Sequence, residues 1–211
     1  MKILVISDVH GNLPALENVL KNEKKFDLII SLGDVVNYGP WSNECVELLE
    51  TFENKILLKG NHEDSFISGN YTSNNIISKT FFDFCYPKFK KKNEISCYAQ
   101  EYQLNQFIFC HTIENKYLFE DSEIKIDRNY FIGHSHQIFK REIGEFLLVN
   151  TGSVGQNRKN IDEINYVLYY PLTNKIELKR IIFSSDILVT QMKNDNYPQL
   201  CIDYILSKKI K

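Results

Sequence analysis

The first apolar positions come as an unbroken run, Ile3-Leu4-Val5-Ile6, which predicts a short buried strand over residues 1–7. Asn12 then offers a helix cap, and Pro14 falls in the first turn, where a missing N–H costs nothing. Leu13, Leu16, Val19 and Leu20 recur at helical spacing to give that helix an apolar stripe. A second buried strand follows over residues 26–32. Ser42 or Asn43 opens a helix carrying Val46, Leu48 and Leu49, and a strand at residues 56–58 completes the series. Strand alternating with helix implies parallel strands joined by right-handed crossovers, with ligand-binding loops at their carboxyl ends. Asp8, Asp34 and Asn61 all fall at such ends.

Residues 62–90 hold Phe66, Phe81, Phe82, Phe84 and Tyr86 and predict helix that covers one side of those ends. Beyond Pro87 the pattern shifts to short runs at residues 95–102, 107–110, 130–132, 138–141, 146–149, 164–170 and 176–183. These read as strands joined by short turns, with Thr173-Asn174 as the hairpin turn between the last two. They predict a second sheet, mixed or antiparallel. The expected fold class is α/β, or α+β by some schemes: a four-layer α/β/β/α sandwich of two mixed sheets with flanking helices and a metal site at the strand carboxyl ends. A helix over residues 198–209 is expected last.

A chain of 211 residues supports one substantial core but not two large domains and a linker, so a single domain over 1–211 is expected. The mean hydropathy is −0.30 and no apolar run approaches the ~18 residues of a spanning helix, so no membrane partner is expected. Met1-Lys2-Ile3 enters the first strand without a secretory leader, and the widely spaced Cys45, Cys85, Cys97, Cys110 and Cys201 suit a reducing cytoplasm, the expected location. A net charge of −2 and a pI near 6.2 give no general attraction to nucleic acid. The exception is Lys88-Phe89-Lys90-Lys91-Lys92, read as a solvated loop or helix end, with a rim that attracts an anionic substrate as the alternative.

The candidate chemistry begins at Asp8-Val9-His10. Side chains two apart on a strand share a face, so a carboxylate and an imidazole are expected to leave the strand together. All five histidines (His10, His62, His111, His134 and His136) lie at the ends of apolar strand patterns, four of them beside Asp, Asn, Gly or another His. One such histidine is ordinarily a hydrogen-bonded core residue, but five in this placement point to a shared site. Carboxylate, amide and imidazole donors together suit borderline divalent ions rather than a thiolate or all-oxygen site. His134 and His136, two apart on an extended segment, would approach neighbouring ions from one side.

The segments Asp-x-His at 8–10, Gly33-Asp34, Gly60-Asn61-His62-Glu63, the lone His111 and Gly133-His134-Ser135-His136, in this order, resemble the calcineurin-like metallophosphoesterase superfamily. Asn150-Thr151-Gly152-Ser153-Val154-Gly155-Gln156 is similar to a stretch of its small bacterial and archaeal phosphodiesterase-type members. The resemblance runs from residue 1 to about 158. Ser135 stands where Thr is common and Thr151 where Pro is usual, and neither replaces a ligand. The resemblance implies a metal-dependent hydrolase of phosphate esters, acting on a small phosphodiester or phosphomonoester through a dinuclear metal centre and a metal-bridging hydroxide. One divalent ion would be held by Asp8, His10, Asp34 and His136, the other by Asp34, Asn61, His111 and His134. Manganese is the first choice of metal, with Fe, Ni, Co or Zn as alternatives.

Charge counting agrees: two divalent ions reverse the repulsion that two carboxylates would exert on a phosphate. His62, off the metals in this reading, is the candidate general acid, oriented by Glu63 or another carboxylate, or else only orients Asn61. Arg158, Asn37 and Tyr38 are candidate substrate contacts. A homo-oligomer is a feature of relatives that this sequence does not itself show. Two alternatives remain: a nucleic-acid end-processing phosphatase or nuclease, which only the lysine run and the aromatics favour, and an inactive scaffold of the same fold.

Overall fold

The computed structural model describes residues 1–209, so the last two positions of the expected 1–211 span lie outside it. The first half runs β1 (Ile3–Ile6), α1 (Leu13–Asn22), β2 (Leu28–Ser31), α2 (Ser42–Glu50), β3 (Lys55–Leu57), α3 (Asn61–Ser68), α4 (Ile76–Cys85), a 3-10 turn (Tyr86–Lys88) and α5 (Lys92–Ser96). The second half runs β4 (Glu101–Leu104), β5 (Phe107–Cys110), β6 (Asn129–Ile132), β7 (Ile138–Ile143), β8 (Phe146–Thr151), β9 (Glu163–Tyr170), β10 (Lys175–Ile182), α6 (Asp186–Asn194) and α7 (Gln199–Leu206).

The strands form two mixed five-stranded sheets, ordered β10-β9-β1-β2-β3 and β4-β5-β6-β8-β7. In the first, β1, β2 and β3 are parallel, as strand-helix alternation requires, and β9 joins β1 antiparallel. In the second, β5, β6 and β8 are parallel, with β4 and β7 antiparallel at the edges.

The period-2 alternation of each strand sorts its side chains into layers. Ile3 and Val5 of β1, Ile30 of β2, Phe107 and Phe109 of β5, Phe131 of β6 and Tyr169 of β9 fill the space between the sheets. Leu4 and Ile6 point the other way, into a larger core with Leu16, Val46, Phe66, Phe81, Leu188 and Ile202 of the helices. Each such fully buried apolar side chain contributes about 1.5–3 kcal/mol. Two mixed sheets flanked by helices are therefore the expected architecture. The outer face of the second sheet is covered differently. Leu118, Ile113, Ile124 and Ile126 pack on Ile108, Ile132 and Leu148, and they come from an irregular segment with no helix among its described residues.

Three local expectations change. Residues 95–96 end α5 instead of opening a strand, because Ile95 and Tyr98 are buried at a helical spacing of three. The final hairpin β9–β10, turned at Asn174 as expected, returns to the first sheet and does not extend the second. Helix α6, with Leu188, Val189 and Met192 buried, was not anticipated, and the last helix spans only Gln199–Leu206. The lysine run is occupied structurally. Lys91 pairs with Glu47 and Glu94, Lys88 lies over the Phe84 ring, and Lys92 donates to the Tyr86 hydroxyl.

Candidate metal centre

Loops at the carboxyl ends of both sheets converge on one buried cluster. Asp8 and His10 follow β1, Asp34 follows β2, and His62 is the second residue of α3 after β3. From the second sheet come His111 after β5 and His134 and His136 after β6. The side chains do not converge through extended geometry. Asp8, His10, Asp34, His134 and His136 have φ of +55°, +49°, +55°, +65° and +59°, so tight left-handed turns aim them inward. The expectation that Asp8 with His10, and His134 with His136, share a strand face is thus corrected. Such backbone costs of order 1–3 kcal/mol per residue and persists only where the surroundings over-determine it.

Those surroundings can be named. The Glu63 carboxylate accepts four backbone N–H groups, from Asp34, Val35, Val36 and Gly60, and so knits the Asp34 turn to the start of α3. Burial and the Asp34 carboxylate push Glu63 up to about 7 against those bonds. The expected orientation of His62 by Glu63 is therefore not found. The segment after β8 is a second brace. Asn150 donates to the carbonyl of Gly133, the Ser153 hydroxyl donates to the carbonyl of Asp8, and the Gln156 carbonyl accepts from His136 Nδ1. Gly133 is needed at its turn, since a Cβ there would lie 2.0 Å from Ser7 Oγ and 2.6 Å from Asp8 Oδ2.

The tautomers test whether a cation belongs here. His10 Nδ1 lies 3.2 Å from the carbonyl of Val36, and His136 Nδ1 meets the carbonyl of Gln156. A carbonyl only accepts, so both Nδ1 atoms carry the proton and both Nε2 atoms present lone pairs. Those two Nε2 atoms are 3.3 Å apart, and Asp8 Oδ1 is 3.1 Å from that of His136. Asp8 Oδ1 is buried and has no hydrogen-bond partner among the described residues. Three electron-rich atoms facing one another in a dry site are repulsive without a cation between them. His111 repeats the pattern. Its Nδ1 donates to the carbonyl of Leu32, and its Nε2 lies 3.1 Å from Asp34 Oδ2 and 3.0 Å from His134 Nδ1. The residues thus fit a metal centre, in two groups: Asp8, His10 and His136, and Asp34, His111 and His134.

Electrostatics carries the same demand for positive charge. Burial would raise the Asp34 carboxyl, but His111, His62 and His10 around it hold it well below the carboxylate range. Burial likewise opposes, and His136, His10 and His111 overcome, a shift of Asp8 in the same direction. Burial pulls His111 down, yet the Asp34 carboxylate lifts it to about 9, so a proton is what that position gathers in place of a cation. Burial brings His62 and His134 down to about 3, which keeps them neutral.

Asn61 is exposed at the first position of α3 and lines the cleft shared with His111 and His134. His62 Nε2 stands 3.9 Å from Asp34 Oδ2, and with His10 and Asp34 it forms a third group able to hold an ion. Asn37 is fully buried behind His62, with its amide nitrogen 2.9 Å from His62 Nδ1, and does not line the cavity in front. The expected substrate contact at Asn37 is thus corrected: its amide is turned to His62, a pairing across 25 residues that sequence spacing does not reveal. Tyr38 does line that cavity, with its ring 4.8 Å from His10. Arg158 reaches it too, with Nη2 3.4 Å from His136 Nε2. The cavity, about 1010 Å³, opens directly onto His62 and Asn61.

A family model described as calcineurin-like phosphoesterase matches residues 1–190. By sequence the chain is similar to an uncharacterized protein of Methanocaldococcus jannaschii, 32% identical across 85% of this chain and 86% of that protein. A shorter stretch of 42 residues, 19% of this chain and 23% of the other, is 45% identical to phosphodiesterase YfcE of Escherichia coli strain K12. Among solved structures, a metallophosphoesterase from Sphaerobacter thermophilus shares the fold with a TM-score of 0.79 at 23% identity, covering 99% of this chain and 100% of that one.

Proposed function

We propose, for a chain that belongs to the calcineurin-like phosphoesterase family, that its strand-end cluster holds two divalent ions and hydrolyses a small phosphodiester or phosphomonoester. Asp8, His10 and His136 would hold one ion, and His111, His134 and Asn61 the other, with Asp34 between them. Ions bound there supply the charge that draws a phosphate in and lower the pKa of a coordinated water. The observation that carries the reading is the facing lone pairs of His10 and His136 over the unpartnered Asp8 Oδ1, an arrangement that makes electrostatic sense around a cation. Manganese is the first metal to try, because carboxylate, amide and imidazole donors suit borderline ions.

The chain's own residues then divide the remaining work. Arg158, beside His136 on the cavity wall, would pair with a phosphate oxygen. His62 receives the Asn37 amide at Nδ1, so its proton sits on Nε2, the atom that faces Asp34. Kept neutral by burial, down to about 3, His62 would act as a hydrogen-bond donor to the leaving oxygen more readily than as an imidazolium acid. The name of the Escherichia coli relative favours a diester over a monoester as the first substrate to test.

The deciding measurement is hydrolysis of a chromogenic phosphodiester beside the matching monoester, by chelator-stripped protein with and without added Mn. Turnover that appears only with metal is the expected result, and the preferred ester separates diesterase from phosphatase. Protein that holds two metal ions by elemental analysis yet turns over neither ester would sink the hydrolase reading.

A further inference from the structure

The cavity in front of His62 has two walls of contrasting chemistry. One is aromatic: Tyr38, Tyr71, Tyr117 and Phe119 border it. Tyr117 and Phe119 are 51% and 38% exposed, so large planar surface is left open to a ligand at the mouth. Tyr117 lies at the phosphate end, stacked on His134 with ring centroids 4.0 Å apart and its ring 5.1 Å from the Arg158 guanidinium. Tyr71 lines the same cavity, stacked on Phe82 at 5.2 Å and 5.7 Å from the His62 ring.

The other wall is mostly uncharged and hydrogen-bonding. Ser65, Ser68, Asn70, Thr72 and Ser73 bring hydroxyl and amide groups from the end of α3 and the loop that leads to α4. Charged groups are sparse: Arg158 and Asp64 are the only charged side chains among the described lining residues. A polyanion would need more cations than Arg158 and the metals. A simple alkyl or polyol ester would leave the exposed rings in water.

We propose that the ester group this cavity accepts is a nucleoside, whose base stacks on Tyr71 and Tyr117 and whose sugar hydroxyls meet the serine, threonine and asparagine wall. The proposal rests on the phosphoesterase reading of the metal centre and names its substrate class. A volume of about 1010 Å³ accommodates a base, a ribose and one phosphate. Base stacking on an aromatic side chain tolerates any base, because every base offers a π face. The site is therefore a reader of nucleosides as a class, with finer choice left to the amide groups.

The matched pair that tests this is AMP against ribose 5-phosphate, which share sugar and phosphate and differ only in the base. Dissociation constants are measured on the metal-loaded full chain by calorimetry, or Michaelis constants where either compound is turned over. AMP is expected to bind at least about fivefold tighter, the increment one stack of about 1 kcal/mol supplies. In Tyr71→Leu and Tyr117→Leu together the ratio should fall to near one. Using a ratio cancels any loss of metal or of Arg158 contact that the variants cause, because both ligands carry the same phosphate. Equal affinities in the unaltered protein, an undetectable AMP complex, or a ratio that survives both substitutions would each overturn the proposal. Metal-dependent turnover of the chromogenic ester in the same preparation reports on the metal centre alone, so the two failures are told apart.

Discussion

The imidazole of His62 is kept neutral by burial and takes a hydrogen bond from the Asn37 amide at Nδ1, which leaves its Nε2 proton facing Asp34. His62→Ala should therefore keep both metal ions by elemental analysis and lose about 10²- to 10⁴-fold in kcat, the usual worth of a positioned proton donor. Metal loss equal to that of His134→Ala would instead make His62 a ligand, the role its grouping with His10 and Asp34 also permits. Asn37→Asp is the sharper variant. A carboxylate can only accept, so the proton moves to Nδ1 and neutral His62 turns a lone pair toward the site. Donation from Nε2 then requires the imidazolium, whose pKa the new carboxylate raises. The variant's kcat should fall as pH rises through that raised value, whereas the unaltered enzyme keeps its donor above about 3. A pH profile unchanged by Asn37→Asp would contradict the pairing. At this scale the sequence was legible in residue type: five histidines and two aspartates at strand ends announced a site. The φ values near +55° that aim them, and the Asn37 contact across 25 residues, follow from tertiary packing that no spacing rule encodes.

Strand ends work as a unit here because the turns beyond them touch. A Cβ on Gly133 would meet Ser7 Oγ and Asp8 Oδ2, and one on Gly60 would lie 2.2 Å from Asp34 Oδ1. Gly133→Ala should thus push the β6 turn, and His134 and His136 with it, away from the β1 turn. Overpacking of this kind costs about 1–3 kcal/mol in stability, and here it should also lower metal content, while Gly144→Ala, with a φ of +61° that Gly133 does not share and nothing within 4 Å of its Cβ, is the control for backbone strain without a clash. Full metal occupancy in Gly133→Ala would show that the turn tolerates displacement. Elements with a clean pattern are legible in the sequence: β1, β2, β5, β8, β9 and α1 all lie where an apolar run or an apolar stripe places them. Residues 95–96 are too short a stretch for their helical spacing to stand out in the sequence, and α6 is not marked there because its buried Leu188, Val189 and Met192 follow closely on a strand of similar composition. The return of β9 to pair with β1 is a choice of partner, and local sequence does not record partners.

Across the whole molecule, the site is a clasp between two sheets. Asp8, His10 and Asp34 belong to turns of the first sheet, and His111, His134 and His136 to turns of the second, with an aromatic core of Phe107, Phe109, Phe131 and Tyr169 between the sheets behind them. Ions bound there would therefore join what the hydrophobic interior alone holds together elsewhere. A ligand held at 100 times its dissociation constant stabilises the folded state by about 2.7 kcal/mol, and two such ions by about twice that. For a chain of this size each kcal/mol moves Tm by about 2–4 °C, so chelation should lower Tm by about 10 °C or more. The bridging geometry adds a condition that a one-sided site would not meet. Asp34→Ala, on the first sheet, and His134→Ala, on the second, should each weaken the metal-dependent rise in Tm, since each takes a ligand from the group that also contains His111. The metal-free protein is not left without recourse, because the proton that Asp34 holds on His111, lifted to about 9, keeps part of the attraction between the sheets at neutral pH. That residual attraction is fully present below the free histidine value of about 6.5 and is lost as pH rises through about 9. The Tm gap between metal-loaded and stripped protein should consequently widen from neutral toward alkaline pH. Thermal melts with and without chelator across that range measure it, and a gap that stays constant or narrows would show that the ions do not replace the proton on His111 as the clasp.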